Sequence, residues 1–146
     1  FCWGTKASVT NSFYSKYVGA YHGAGRDFLQ GVYPDKQDYS PGAVSAKNKK
    51  GRKALTAQMQ KYIKNFLRKG NPNGGSLIRW KVWNDAAGSK KIMHFNAGKQ
   101  KVTSKMSVEK YDPAMILYTM SKNLAAQEYD YLTETVLTGR YFMSVQ

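Results

Sequence analysis

Six apolar residues in the middle of the chain constrain its fold more than any other feature. Leu55, Met59, Tyr62, Ile63, Phe66 and Leu67 fall at i, i+4, i+7, i+8, i+11 and i+12. That spacing marks one face of a helix. Lys61, Lys64, Arg68 and Lys69 lie elsewhere around it or at its end, Gly70 has the place of a C′ glycine, and Pro72 prevents continuation. The pattern predicts a helix over 55–69 whose apolar face must be covered by another layer. Tyr62 and Phe66 read as core residues rather than a stacking platform, and the basic run Lys47 to Lys53 as a solvated approach to the helix.

The flanking segments are less regular. Residues 1–21 read as extended, with the β-leaning run Tyr17-Val18-Gly19-Ala20-Tyr21. Residues 22–51 are rich in Gly, Pro, Asp and Ser and read as loop with short turns. Leu77 to Trp83 is short and aromatic. Lys91 to Phe95 is a candidate strand at a sheet edge, Asn96 to Lys99 a turn, and Val102 to Met106 a second short strand. Asp112-Pro113 supplies an N-cap side chain and a proline at the first helical position. The helix it opens is expected to run from 113 to about 136, with Ile116, Leu117, Met120, Leu124, Tyr131 and Leu132 inward. Strands, a long helix, a strand and a terminal helix fit the closing part of an α/β sheet protein.

Charge is the second constraint. The 146 residues carry 23 Lys and Arg against 9 Asp and Glu, a net charge of +14, and 42% of them are apolar, enough to line one core. Between Lys47 and Lys110 the acids are Asp85 and Glu109 alone. Such a field suits nucleic acid, an anionic surface or an acidic partner. A nucleic-acid-binding module is disfavoured, because zinc-ligand spacing, an RNA-binding aromatic motif and a recognition-helix signature are all missing. Asp27, Asp35 and Asp38 share a loop with Lys36 and have no His or Cys at ligand spacing, so they read as solvated turn acids; neither a metal nor a cofactor is expected. A single cysteine, Cys2, allows no internal disulfide and leaves the compartment open, secreted or cytoplasmic. No apolar run approaches a membrane span. The opening Phe1-Cys2-Trp3-Gly4 reads like the end of a strand, so position 1 is not expected to be the start of the gene product.

Three stretches resemble the C-terminal portion of the type B carboxylesterases, the family that also holds the cholinesterases. Gly19-Ala20-Tyr21-His22-Gly23-Ala24-Gly25-Arg26-Asp27-Phe28-Leu29-Gln30-Gly31 is similar, without a gap, to the family's Gly-Ala-aromatic-His-Gly-small-Glu-x-x-aromatic-x-Phe-Gly. Tyr62 to Asn73, ending Gly70-Asn71-Pro72-Asn73, resembles its Trp-x-x-Phe-x-x-x-Gly-Asn-Pro-Asn helix end. Trp80-Lys81-Val82-Trp83 and Ile92-Met93-His94-Phe95 look like its Trp-x-x-Tyr segment and the edge strand that follows, and Tyr129 to Leu132 echoes its closing helix. The pieces keep the family's order along about residues 15–132. Gly25 stands where the family has Glu, and Gln30 where it has Phe; Asp27 is the acid nearest in sequence to stand in for the Glu.

The resemblance implies an α/β fold: the C-terminal segment of an α/β-hydrolase, incomplete alone, with residues 1–146 forming part of one carboxylesterase domain. It implies hydrolysis of carboxylic esters by a Ser-His-acid triad. In that fold the triad runs Ser, acid, His along the chain, so a C-terminal segment holds the His without the other two. His22 occupies the family's position. A neutral imidazole takes the serine proton and later passes it to the leaving alkoxide, and a pKa of about 6.5 suits both tasks near neutrality. The chain has no Gly-x-Ser-x-Gly elbow, and Gly74-Gly75-Ser76 follows a helix rather than a strand and reads as a turn. The partner implied is the upstream part of the same enzyme, carrying serine, acid and oxyanion hole, either continuous with this segment or a separate chain after cleavage. The other ligand implied is a small-molecule ester. Two alternatives stand: a non-catalytic, carboxylesterase-like scaffold protein, and the nucleic-acid module. His94, in a strand-like run, reads as a packing residue.

Overall fold

A computed structural model describes residues 1–32, 42–109 and 113–137. The chain divides into two compact units, Phe1–Val108 and Glu109–Gln146.

The first unit is built on the helix that the apolar spacing predicts. It starts earlier, at Lys49, and ends at Lys69 as expected; this is α2. Before it come α1, Arg26–Gln30, and a single 3-10 turn, Ala46–Asn48. Two short strands follow, β1 (Ile92–His94) and β2 (Lys105–Ser107). They pair antiparallel with Met93 opposite Met106 and His94 opposite Lys105. The sheet thus has two strands among the described residues, with an isolated bridge from Ala97 to Val102 closing the turn between them. A mixed helical unit with a small sheet is compatible with an incomplete piece of an α/β protein.

The start of α2 is fixed by Asn48. Its side chain is fully buried and satisfied on all four sides. Nδ2 donates to the carbonyls of Val9 and Ala43, both at 2.8 Å, while Oδ1 accepts from Ser45 N–H at 3.1 Å and Arg52 Nε at 2.8 Å. One amide therefore pins two separate stretches, around Val9 and over Ala43–Ser45, to the helix start. At the other end, Gly70 adopts φ +65° and donates its N–H to the Phe66 carbonyl, and Arg68 and Lys69 complement the C-terminal end of the helix dipole.

Two apolar clusters lie along α2. Leu55 and Met59 pack with Trp3, Val9, Tyr14, Phe28, Ala43 and Ala97; one to two turns later Tyr62 packs with Met93 and Met106, and Phe95 touches both groups. The apolar stripe is covered over only part of its length. Ile63, Phe66 and Leu67 are 39%, 56% and 78% exposed, so Phe66 is not the core residue that its spacing predicts. The stripe specifies which residues share a face, whereas coverage depends on what lies opposite, and among the described residues of this unit the covering layer stops after Tyr62.

The N-terminal region corrects a second expectation. Residues 1–21 are not extended: they form turns and a π-helical segment, Tyr14–Val18. Asn11 Oδ1 accepts the Tyr14 N–H at 2.7 Å, the Tyr14 ring is buried against Trp3, and Gly19, at φ +56°, returns its N–H to the Tyr14 carbonyl. Burial of one aromatic ring outweighs the β preference of Tyr17 and Val18, both of which are exposed. Residues 22–51, expected as loop, hold α1, the 3-10 turn and the start of α2. The second strand lies at Lys105–Ser107, displaced from the predicted Val102 to Met106.

In the second unit, Asp112 lies outside the described residues. The single long helix expected from 113 is divided into α3 (Pro113–Asn123), α4 (Ala126–Tyr131) and a π-helical turn, Leu132–Val136. The break is local. Ala125 is extended, at ψ 150°, its N–H donates to Glu128 Oε2 at 3.1 Å and its carbonyl accepts from Tyr129 N–H, which restarts the helix. The six residues expected to face inward are half-buried or, for Ile116 and Tyr131, exposed.

Candidate functional site

His22 lies on a tight turn that joins the N-terminal region to α1, and its side chain is exposed. The Tyr21 carbonyl accepts the Ala24 N–H at 3.1 Å and the Gly23 carbonyl accepts the Arg26 N–H at 2.9 Å. Gly23 takes φ +85°, a left-handed conformation that a side chain would strain, so the glycine after the histidine is what lets the chain reverse here.

The turn is anchored from both sides. Ala24 is buried, and Phe28, one turn into α1, is almost fully buried between Phe1 (ring centroids 5.0 Å apart) and Trp3 (5.2 Å). The N-terminal residues are held in turn by a hydrogen bond from Cys2 N–H to the Phe95 carbonyl, just past β1. At its far end α1 is tied to α2 by Gln60 Nε2, which donates to the Leu29 carbonyl at 3.2 Å. An exposed imidazole on a turn whose backbone is fixed by buried aromatics can meet a group brought to it from outside.

Gly25 abuts the Phe1 ring, where an added Cβ would sit in ordinary van der Waals contact at 3.6 Å. The Asp27 carboxylate meets Arg26 Nε at 3.4 Å, within its own helix turn. Asp35 and Asp38 lie outside the described residues. Among the described residues no group of three or more His, Cys, Asp or Glu is placed to hold a metal ion, and no helix is long and apolar enough to cross a membrane. His94 is half-buried in β1 opposite Lys105, on a different element from His22.

A second feature of this unit is a groove of about 930 Å³ beside the last turns of α2. Its apolar lining is Tyr62, Ile63, Phe66, Pro72, Trp80 and Val82. Its walls are held by side chains that reach across the loop after α2. Asn73 is bonded to Trp80 in both directions, accepting its N–H at 2.6 Å and donating to its carbonyl at 3.0 Å. Asn65 donates to the Pro72 carbonyl and the Tyr62 hydroxyl to that of Ile78. Tyr62, Trp80 and Phe95 meet edge to face, with centroids 5.4–5.6 Å apart. Burial pushes the Tyr62 phenol above its ordinary pKa. In the sequence Asn73 stands out only as the end of the family-like Gly70-Asn71-Pro72-Asn73 run, with no sign of its bonds to Trp80, and the only signal for Asn48 is its position three residues after Ser45 at a helix start.

No protein-family profile matches the chain. Part of it is similar to a curated protein, carboxylesterase 4A of Bos taurus, at 44% identity over 66 residues. Those residues are 45% of this chain and 10% of the relative, so the match spans about a tenth of that protein's length.

Proposed function

We propose that this chain is the C-terminal segment of a serine carboxylesterase and that His22 is its catalytic base. The observation that carries the reading is the 44% identity, over 66 residues, to a carboxylesterase. It is supported by the placement of His22, exposed on a glycine turn that Phe28 anchors. In the assembled enzyme one imidazole nitrogen accepts the proton of a serine supplied from upstream, as that oxygen attacks the ester carbonyl. The other nitrogen faces a carboxylate, also from upstream, which holds the tautomer and stabilises the imidazolium. The imidazolium then protonates the departing alkoxide, and the same base activates water to release the acid.

The test is hydrolysis of a short-chain aryl ester by the 146 residues alone and by the protein completed with its upstream sequence. The segment alone has no Gly-x-Ser-x-Gly elbow in its sequence, and loss of the nucleophile costs orders of magnitude in rate, so it is expected to be inactive. In the completed protein His22→Ala is expected to lower kcat by about 10³-fold or more with KM little changed, and His94→Ala to cost stability rather than rate per folded molecule. Near-full activity of His22→Ala, or the reverse behaviour of the two histidines, rules the assignment out.

A further inference from the structure

The groove at the end of α2 is open and largely apolar, with two cations, Arg79 and Lys81, in its lining. Phe66 is 56% and Val82 89% exposed, and the neighbouring Leu67 and Trp83 extend the apolar surface beyond the groove. Arg79 and Lys81 line it. The ammonium groups of Lys61 and Lys69 reach over the loop after α2, lying 3.2 and 3.0 Å from where a Cβ on Gly75 or Gly74 would be. The acid nearest in sequence is Asp85, which is held by Lys91 at 3.4 Å. The floor is fixed by the Asn73–Trp80 and Tyr62–Ile78 hydrogen bonds, so little ordering cost remains for an occupant.

A concave apolar surface can seat a partner, and the charges beside it select which one. A second copy of this chain would set cation against cation at a net charge of +14 each. The part of the protein lying outside this segment is far larger if its length resembles that of the carboxylesterase it partly matches, of which only 10% is covered. We propose that the groove between the last turns of α2 and residues 71–82 is the seat of an upstream segment of the same protein. That segment presents an apolar ridge flanked by Asp and Glu. The inference rests on the reading of this chain as the closing part of a larger enzyme, and it adds which surface joins the two parts and the chemistry of what joins it.

The experiment expresses the upstream sequence of the same gene as a separate polypeptide and measures its affinity for the 146-residue chain over a range of salt. The Phe66→Asp/Val82→Asp double variant changes exposed residues only, and circular dichroism checks that it folds. It is expected to lose at least ~30-fold in affinity. Arg79→Gln/Lys81→Gln is expected to slow association and flatten its salt dependence. Lys49→Gln/Lys50→Gln removes the same charge at the opposite end of α2, about 25 Å away at 1.5 Å per residue, and is expected to change affinity less than the Arg79/Lys81 pair. Unchanged binding by the Phe66/Val82 variant, or an equal loss in the Lys49/Lys50 variant, overturns the proposal. A photo-crosslinker at position 82 of the uncut protein provides a check independent of reassembly. It is expected to capture an upstream peptide with acids beside its apolar residues. Capture of a second copy, capture of residues 109–146, or no capture overturns the proposal. Ester hydrolysis separates the two readings. A complex that forms through the groove and hydrolyses nothing sinks the esterase and leaves the groove, whereas full activity from the Phe66/Val82 variant does the reverse.

Discussion

Asn48→Ala is the sharpest test of how the first unit is held together. The side chain is fully buried, and its amide makes four hydrogen bonds, three of them at 2.8 Å. Truncation leaves the Val9 and Ala43 carbonyls without these donors and takes an acceptor from Ser45 N–H and from Arg52, itself buried. A buried group deprived of its partner costs about 1–3 kcal/mol. Water entering the vacated space recovers part of that, so the net loss is expected at about 3–5 kcal/mol, a large share of the ~5–15 kcal/mol that holds a domain. Asn48→Asp separates hydrogen bonding from size. It keeps the acceptor for Ser45 and Arg52, but replaces the doubly donating Nδ2 with one oxygen that faces two carbonyl oxygens, and is expected to do no better than Ala despite the ion pair gained with Arg52. The assay is urea unfolding followed by tryptophan fluorescence in a Trp83→Phe background, where the remaining reporters are Trp3, which is 3% exposed, and Trp80. A loss below about 1 kcal/mol for Asn48→Ala, with an unchanged urea slope, would refute the view that this amide is the junction of the unit.

Three further outcomes are expected. Gly51→Ala, which raises helix propensity, should nonetheless destabilise the unit, because a Cβ there runs into the Gly98 carbonyl oxygen and the Gly51 N–H is bonded to the Lys99 carbonyl at 2.8 Å; a gain in thermal stability would contradict this. Tyr62→Phe should cost about 1 kcal/mol through the Ile78 carbonyl and also change the alkaline limb of stability. The Tyr62 pKa is raised in the folded state, so its share of stability is present below the unfolded value near 10 and is lost as pH rises through the folded value; the Phe variant should show a shallower decline above about pH 10, and an identical decline would refute the assignment. Phe28→Ala should cost about 3–5 kcal/mol in unfolding experiments and, by releasing the turn from Phe1 and Trp3, speed amide exchange at His22 and Gly23; unchanged exchange would show that the ring does not anchor the turn.

Periodicity and capping residues alone determine a good deal of this protein. The apolar spacing from Leu55 to Tyr62 and the Gly70 stop are local signals, carried by the helix repeat and by backbone conformations open to glycine, and they place the body and end of α2. The β-rich run ending at Phe95 similarly foretells β1. The glycine beside His22 marks its turn, since only a residue free to take φ +85° reverses the chain there. What the sequence leaves open is decided by contacts between residues far apart in it. Tyr17 and Val18 favour a strand, yet Tyr14 buries its ring against Trp3 and winds the segment into a π-helix. Phe66 belongs to the apolar face of α2 and still meets solvent, because among the described residues of this unit the buried clusters end at Tyr62. Asn48 and Asn73 look like ordinary turn residues and become clamps only when Val9, Ala43 and Trp80 are brought to them. Propensity acts within a few residues, whereas burial and the satisfaction of buried polar groups depend on the whole chain, so the sequence specified the helical face and tertiary packing specified which part of it is core.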